Sequence, residues 1–149
     1  ADQRGDPTRA GLPQVIDGHD GLGPIAGIAA AQAAHPEVAW LVVACDLPFL
    51  DDGLLELLVR QRGHHPVTAF RSSHDGLPEP LCTIYEPATR MEILASIAQG
   101  RLCPRKFVIG TGVPLLEQPD PGALDNVNTP EELVAVERQL GSGTTEAGA

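Results

Sequence analysis

The fold is decided by the stretch Trp40-Leu41-Val42-Val43-Ala44-Cys45, which Asp46 follows directly. The stretch is apolar at every position without alternation, which is typical of a parallel strand covered on both faces. A carboxylate at the end of such a strand stays ionised only where it reaches solvent, a hydrogen-bond donor or a cation. The stretch therefore predicts a buried strand with a charged group at its carboxyl end.

The rest of the chain alternates between strand-like and helix-like segments. Further strands are predicted at Val15–Asp17, Val67–Phe70, Pro80–Tyr85 and Val113–Leu116. Helices are predicted at Pro24–Ala34, from Asp51 or Asp52 through Leu58, at Ala88–Ala98, at Pro104–Ile109 and from Pro130 onward. Because the two kinds of segment alternate, we expect a three-layer α/β fold with a mainly parallel, Rossmann-like sheet. Ligands of such sheets bind beyond the carboxyl ends of the strands, where Asp17 and Asp46 stand.

Length and composition limit the domain organisation and the partners. A chain of 149 residues fits one domain, predicted at residues 1–140, with a flexible tail at 141–149 that lacks large apolar side chains. The formal charge is −10, and the densest basic stretch is the short Arg101–Lys106 segment. Nucleic acid or an anionic membrane is therefore not expected as a partner. The sequence contains no membrane-length apolar run and no signal-peptide pattern, so a cytoplasmic location is expected.

Three segments contain residues suited to binding a ligand. Asp46 could hold Mg²⁺ together with nucleotide phosphates, or it could merely cap the turn before Pro48. The segment Gly23-Pro24-Ile25-Ala26-Gly27 places small residues at a helix start, which suits an anion, although ordinary helix entry with close packing is the favoured explanation of this segment taken alone. Asp17, just before this segment, could contact a ribose or a base, or serve as a turn residue.

The third segment is Asp125-Asn126-Val127-Asn128-Thr129-Pro130. In an extended conformation Asn126 and Asn128 point the same way and present paired amides to a heterocycle or a phosphate. The alternative is an Asx-type turn into the last helix, which begins with the capping box Thr129-x-x-Glu132. The five histidines are interpreted as solvated surface residues. Cys45 and Cys82 are interpreted as small buried hydrophobic residues.

Taken together, these segments resemble the molybdenum cofactor guanylyltransferase (MobA-like) family of nucleotidyltransferases. The resemblance runs in order from about residue 12 to residue 140. The segments that carry it are Val15–Asp17, Gly23–Ile28, Leu41–Pro48, Glu79–Tyr85 and Asn126–Leu133. It implies transfer of GMP from GTP to the phosphate of molybdopterin, with Mg²⁺ as cofactor and pyrophosphate as product. GTP, molybdopterin and molybdenum cofactor-handling proteins are the implied partners.

The resemblance also assigns roles by position. Asp46 matches the metal-binding aspartate, and Asp17 with Gly23, Pro24 and Gly27 matches the nucleotide-contacting loop. Asn126 and Asn128 match residues on the side where the pterin is expected. Arg105 and Lys106 are basic and could face the pterin or a phosphate. These assignments imply positioning and electrostatic catalysis without a covalent enzyme intermediate.

One feature of the family is absent from the sequence. The family begins with an apolar strand and a Gly-rich loop containing Arg and Lys, and nothing like it occurs here, where Lys106 is the only lysine. The chain is therefore expected to be a fragment that by itself neither binds GTP tightly nor turns over. Alternatives to the guanylyl assignment are a cytidylyl- or sugar-phosphate nucleotidyltransferase, or a non-catalytic relic or interaction module of the same fold.

Overall fold

The computed structural model describes residues 10–18 and 21–142. Three strands and five helices follow in this order: α1 (Pro24–Ala34), β1 (Trp40–Val43), α2 (Asp52–Arg60), β2 (Val67–Arg71), β3 (Pro78–Tyr85), α3 (Arg90–Ala98), α4 (Pro104–Thr111) and α5 (Pro130–Ser142). A single 3₁₀ turn, Pro87–Thr89, leads into α3. The predicted helices are all present, with bounds that differ by a few residues at most.

Side-chain caps explain where two of the helices begin. The Oδ1 atom of Asp51 accepts a hydrogen bond from the Leu54 amide at 2.8 Å at the start of α2. At the start of α5, the Glu132 amide donates to Thr129 Oγ1, and the Thr129 amide donates to Glu132 Oε2, both at 3.2 Å. The predicted capping box is therefore confirmed.

The sheet has the order β1-β3-β2, and both of its pairings are antiparallel. Trp40 pairs with Tyr85 and Val43 with Cys82, while Val67 pairs with Tyr85 on the other side of β3. The sequence predicted a mainly parallel sheet, but the described strands form an antiparallel one. The loop at 72–77 turns the chain back, and β3 lies between β1 and β2, which run in the same direction and do not pair with each other. An apolar run shows that a strand is covered but does not show the direction of its neighbours.

Two predicted strands are not formed. Residues 13–17 have no regular secondary structure, and Val15 and Ile16 are 46% and 42% exposed. Of Val113–Leu116, only Leu116 joins the sheet, through a parallel bridge to Phe70. Apolar residues favour strand geometry, but a strand also needs a neighbour along most of its length, and these segments lack one among the described residues.

Helices pack on both faces of the sheet, so the three-layer arrangement is present. One core cluster joins α1, α3 and α4 to Val67, Ala69 and Tyr85. The other joins α2 to Phe70, Cys82 and Ile84. Successive strand residues thus enter opposite clusters, as the two-residue period of a strand requires.

Strand β1 is less covered than predicted. It lies at the edge of the sheet, and its residues alternate between half-buried and exposed. Leu41 and Val43 are 37% and 40% exposed, while Val42 packs against the first core cluster. The prediction of a strand covered on both faces is therefore wrong for one face of β1 among the residues that the structure describes.

The carboxyl-terminal end of the described chain is helical. Helix α5 extends to Ser142, two residues beyond the predicted end of the domain at residue 140. The remainder of the predicted tail, residues 143–149, lies outside the described residues. Within the described ranges no helix is both long and apolar enough to cross a membrane.

Candidate active site

A cavity of about 280 Å³ opens at the edge of the sheet where β1 and β2 both end. Because both strands run antiparallel to β3, their carboxyl ends lie at this same edge. The cavity is lined by Asp46 after β1, by residues of the β2–β3 connection, by the first half of β3, by Arg105 of α4 and by Asn126. Residues from four separate parts of the sequence therefore meet at one place.

Asp46 lies in the turn after β1, is half-buried and lines the cavity. Among the described residues, no Lys or Arg forms an ion pair with it. Its carbonyl oxygen accepts a hydrogen bond from the Val127 amide at 2.9 Å. Asp46 is thus open to a ligand, and its backbone is tied to the segment that follows Asp125.

This backbone hydrogen bond explains how Asn126 reaches the site. Asn126 immediately precedes Val127, and it lines the cavity beside Asp46. Asn128 does not line this cavity, and its backbone N–H donates a hydrogen bond to Glu132 Oε2 at 2.8 Å at the start of α5. The two asparagines that the sequence suggested as a pair therefore lie in different surroundings.

Arg105 lies near the start of α4 and lines the same cavity as Asp46. Its Nη1 atom is 2.9 Å from Asp75 Oδ2, and its Nη2 atom is 3.5 Å from Glu79 Oε2. The pKa of Asp75 is held below its ordinary value mainly by the hydrogen bond from the Leu77 amide, with a further contribution from Arg105. Two carboxylates thus hold the guanidinium in place at the cavity wall. Lys106, the next residue, lines a different cavity.

The β2–β3 connection contributes residues to the cavity that were not predicted from the sequence. Ser72, His74 and Asp75 line the cavity, together with Glu79 at the start of β3. His74 is exposed as predicted, but its Nε2 atom lies 2.7 Å from Asp125 Oδ1, next to Asn126. A signal for these residues exists in the sequence, since Ser72-Ser73-His74-Asp75 directly follows a predicted strand. Without the strand order, nothing placed that strand end beside Asp46.

The segment at the start of α1 lies elsewhere. Gly23, Pro24 and Gly27 are exposed, and a Cβ atom added at Gly23 or Gly27 would meet nothing within 4 Å. Gly23 has φ of 68°, a conformation that favours glycine. Asp17 is half-buried in the irregular segment before α1. None of these four residues lines the cavity around Asp46.

The two cysteines near the site differ in exposure. Cys82 is buried in β3, and burial with the nearby Glu79 charge raises the pKa of its thiol to about 11. Such a thiol stays protonated at neutral pH and is a poor nucleophile. Cys45 is exposed, because β1 ends at Val43, so its predicted burial is wrong.

The charges around the cavity favour a cation over a bare anion. Asp46, Asp75 and Glu79 contribute carboxylates to its wall, against the single guanidinium of Arg105. Within the described residues, no group of three or more His, Cys, Asp or Glu side chains is close enough to hold a metal ion. A cation bound by Asp46 would take its remaining ligands from water or from a bound molecule, as Mg²⁺ commonly does from substrate phosphates.

A three-layer α/β fold with a cavity beyond its strand ends defines the class of α/β domains that bind ligands at this end of the sheet. Residues 2–118 match the model of the MobA-like NTP transferase domain, and the chain belongs to this family. The resemblance seen in the sequence is therefore confirmed.

Curated relatives with stated functions support the family assignment. The chain is 38% identical over 129 residues to the molybdenum cofactor guanylyltransferase of Pseudomonas aeruginosa, covering 83% of this chain and 63% of that protein. It is 34% identical over 143 residues to the enzyme of the same name from Rhodobacter capsulatus, covering 91% and 72%. A molybdenum cofactor biosynthesis bifunctional protein of Synechocystis is 30% identical over 122 residues, which cover 81% of this chain and 35% of that protein. The chain thus spans less than two thirds of the Pseudomonas and Synechocystis relatives.

Solved structures show the same fold. The molybdopterin-guanine dinucleotide biosynthesis protein A of Archaeoglobus fulgidus superposes with a TM-score of 0.65 at 27% identity, covering 85% of this chain and 67% of that one. A protein from Aquifex aeolicus VF5 gives a TM-score of 0.70 at 21% identity, covering 79% and 63%, and supports the fold alone.

Proposed function

We propose that this chain belongs to a Mg²⁺-dependent molybdenum cofactor guanylyltransferase, which transfers GMP from GTP to the terminal phosphate of molybdopterin. One observation carries the proposal: Asp46 and Asn126, which the family resemblance marks in two separate segments, line a single cavity together with the basic residue Arg105. The names of the Pseudomonas and Rhodobacter relatives supply the reaction class.

The proposed reaction is an in-line displacement at phosphorus. A phosphate oxygen of molybdopterin forms a bond to the α-phosphorus of GTP, and the bond from that phosphorus to the oxygen bridging to the β-phosphate breaks. Pyrophosphate leaves with the bonding electron pair. No step requires a protein nucleophile, which agrees with the protonated, buried thiol of Cys82.

The residues of the cavity suit a magnesium ion. Asp46 supplies a half-buried carboxylate that no basic side chain neutralises among the described residues, and carboxylate oxygen is a preferred Mg²⁺ ligand. Because three carboxylates line the cavity, two polyanionic substrates would be repelled without a cation. Bound there by Asp46, Mg²⁺ would supply positive charge to the phosphates and the departing pyrophosphate.

The remaining residues would bind and orient the substrates. Arg105, held by Asp75 and Glu79, presents a guanidinium suited to a phosphate group. Asn126 offers a side-chain amide that can both donate hydrogen bonds to a pterin and accept them from it.

The nucleotide is proposed to contact the exposed start of α1, at Gly23, Pro24 and Gly27, and Asp17 before it. Asn128 and Lys106 keep their proposed place on the pterin side, although neither lines this cavity. Molybdenum cofactor-handling proteins are the proposed protein partners, and the proposed location is the cytoplasm.

The decisive test is substitution of Asp46 in the full gene product. We expect Asp46→Asn to lower guanylyl transfer from GTP to molybdopterin by about 100-fold or more, because the charge that holds the cation is lost. Binding of GTP with Mg²⁺, measured by calorimetry, should weaken as well. The transfer is followed by the pyrophosphate released.

Glu56→Gln is the matched control, since Glu56 is an exposed carboxylate of α2 that does not line the cavity. It should bind and turn over like the unchanged protein. If Asp46→Asn turned over as fast as the unchanged protein, the proposed metal site at Asp46 would be wrong. Preference for CTP over GTP would replace the guanylyl assignment, and nucleotide binding with no transfer to any acceptor would favour the non-catalytic interaction module.

A further inference from the structure

A second cavity, of about 570 Å³, lies between α3 and α4, and it has roughly twice the volume of the cavity at Asp46. Ala95 and Ser96 of α3, Arg101 and Leu102 of the connecting loop, and Lys106 and Phe107 of α4 contribute to its wall. It shares no lining residue with the cavity at Asp46. The two consecutive residues Arg105 and Lys106 thus face two separate cavities.

The charge of this second cavity is opposite to that of the protein as a whole. Arg101 and Lys106 contribute two positive charges to its wall and Glu92 one negative charge, in a chain whose formal charge is −10. Within the described part of the chain, neither Arg101 nor Lys106 takes part in an ion pair. Two unpaired cations at one concave site attract an anion, because they need no carboxylate to be displaced first.

A nearly buried hydroxyl group provides a directional contact. Ser96 is 6% exposed and lines the cavity, and its hydroxyl forms no hydrogen bond to another described residue. A hydroxyl that lines a cavity and has no protein partner among the described residues can donate a hydrogen bond to a ligand that supplies an acceptor. The hydroxyl therefore points to an oxygen-bearing ligand rather than a purely apolar one.

The rest of the wall is apolar. Ala95, Leu102 and Phe107 present hydrocarbon surface beside the two cations and the hydroxyl. Pockets of a few hundred cubic ångströms with an apolar lining and a few convergent polar groups are typical small-molecule sites. We infer that the cavity between α3 and α4 binds a small organic anion, with a phosphate or carboxylate group met by Arg101, Lys106 and Ser96 and an apolar body against Leu102 and Phe107.

Phenyl phosphate is the probe for this site, because it combines the two features. In calorimetric titrations of the full chain we expect saturable one-to-one binding, about tenfold or more tighter than that of inorganic phosphate, which lacks the apolar body. The double substitution Arg101→Gln with Lys106→Gln should weaken phenyl phosphate binding about tenfold or more. Ser96→Ala should weaken it about threefold to tenfold.

One single substitution serves as the control. Arg60→Gln removes an exposed arginine of α2 that lines neither cavity. It should leave phenyl phosphate binding unchanged, and circular dichroism checks that each variant is folded. The inference is overturned if phenyl phosphate does not bind, if the Arg101 and Lys106 variant binds it equally well, or if Arg60→Gln weakens binding as much as that variant does. None of these outcomes depends on guanylyl transfer.

Discussion

Asp75 shows how a single residue outside the sequence-predicted set shapes the site. Its Oδ1 atom accepts a hydrogen bond from the Leu77 amide at 3.0 Å, and its Oδ2 atom pairs with Arg105. The same carboxylate therefore shapes the β2–β3 connection and orients the guanidinium at the cavity. A role of this kind has no motif, because it depends on a contact between residues that are 30 positions apart.

The lowered pKa of Asp75 gives a prediction about acid stability. A carboxyl group whose pKa is lower in the folded state stabilises the fold above its unfolded value of 3.8, and this contribution is lost as the pH falls through the folded value. We therefore expect Asp75→Asn to lower the free energy of unfolding at pH 7, and we expect this difference from the unchanged protein to shrink progressively below about pH 4. Urea denaturation at several pH values measures this. A stability difference that stays constant down to pH 2 would contradict it, and Glu56→Gln is the surface control.

At the scale of elements, a buried polar contact joins α1 to the start of α3. Gln32 Nε2 donates to Thr89 Oγ1 at 2.8 Å and to the Glu86 carbonyl oxygen at 3.2 Å. Both side chains are almost fully buried, at 1% and 0% exposure. Helix α1 therefore packs against α3 through a specific hydrogen bond as well as through Ile25, Ile28 and Ile93.

Removing one partner of this contact should be costly. We expect Thr89→Val to lower the free energy of unfolding by about 1–3 kcal/mol, because the Gln32 amide then loses a buried acceptor. Chemical denaturation measures the change. Thr111→Val is the comparison, since the Thr111 hydroxyl donates to the Val108 carbonyl oxygen of its own helix and to no other described residue.

A second substitution distinguishes the hydrogen bond from simple packing. Adding Gln32→Leu to Thr89→Val removes both polar partners, and we expect the double variant to be more stable than Thr89→Val alone. If the two effects simply add, the hydrogen bond is not the source of the stability.

At the scale of the whole molecule, β1 has one edge that pairs with no other strand among the described residues, and its Leu41 and Val43 are 37% and 40% exposed. Strand β1 is an edge strand, and Leu41 and Val43 point to the same, partly uncovered face. Unpaired edges with apolar side chains favour pairing between molecules. Self-association of the isolated chain through this edge is the consequence we expect.

A charge at the edge should suppress that association. We expect Leu41→Lys to reduce the apparent mass and the light scattering of concentrated samples, because lysine on an edge strand opposes strand pairing. Size-exclusion chromatography with light scattering measures the effect. Val59→Lys, at an exposed valine of α2, adds the same charge away from the sheet and should have no such effect. Equal suppression by both variants would show that net charge, not the edge, controls association.

The accuracy of the sequence-based predictions differed with the range of the interactions involved. Helices were predicted well, since Pro24, Asp51 and the pair Thr129 and Glu132 act within one turn of the helix they begin. The site was predicted in part: Asp46, Arg105 and Asn126 meet in one cavity, but Lys106 faces another one and His74, Asp75 and Glu79 were not expected. Strand direction and the edge position of β1 were not predicted, because they depend on which strands become neighbours.

By itself, the sequence determined the family, the helices and the carboxylate at the end of Trp40–Val43, since these follow from local residue patterns and from segments in a characteristic order. Only the tertiary structure decided that β3 lies between β1 and β2, and hence that the connection after β2 reaches the cavity at Asp46. The physical reason is that hydrogen bonding between strands and ion pairs such as that of Arg105 with Asp75 join residues far apart in the chain, whereas local patterns encode only what lies within a few residues.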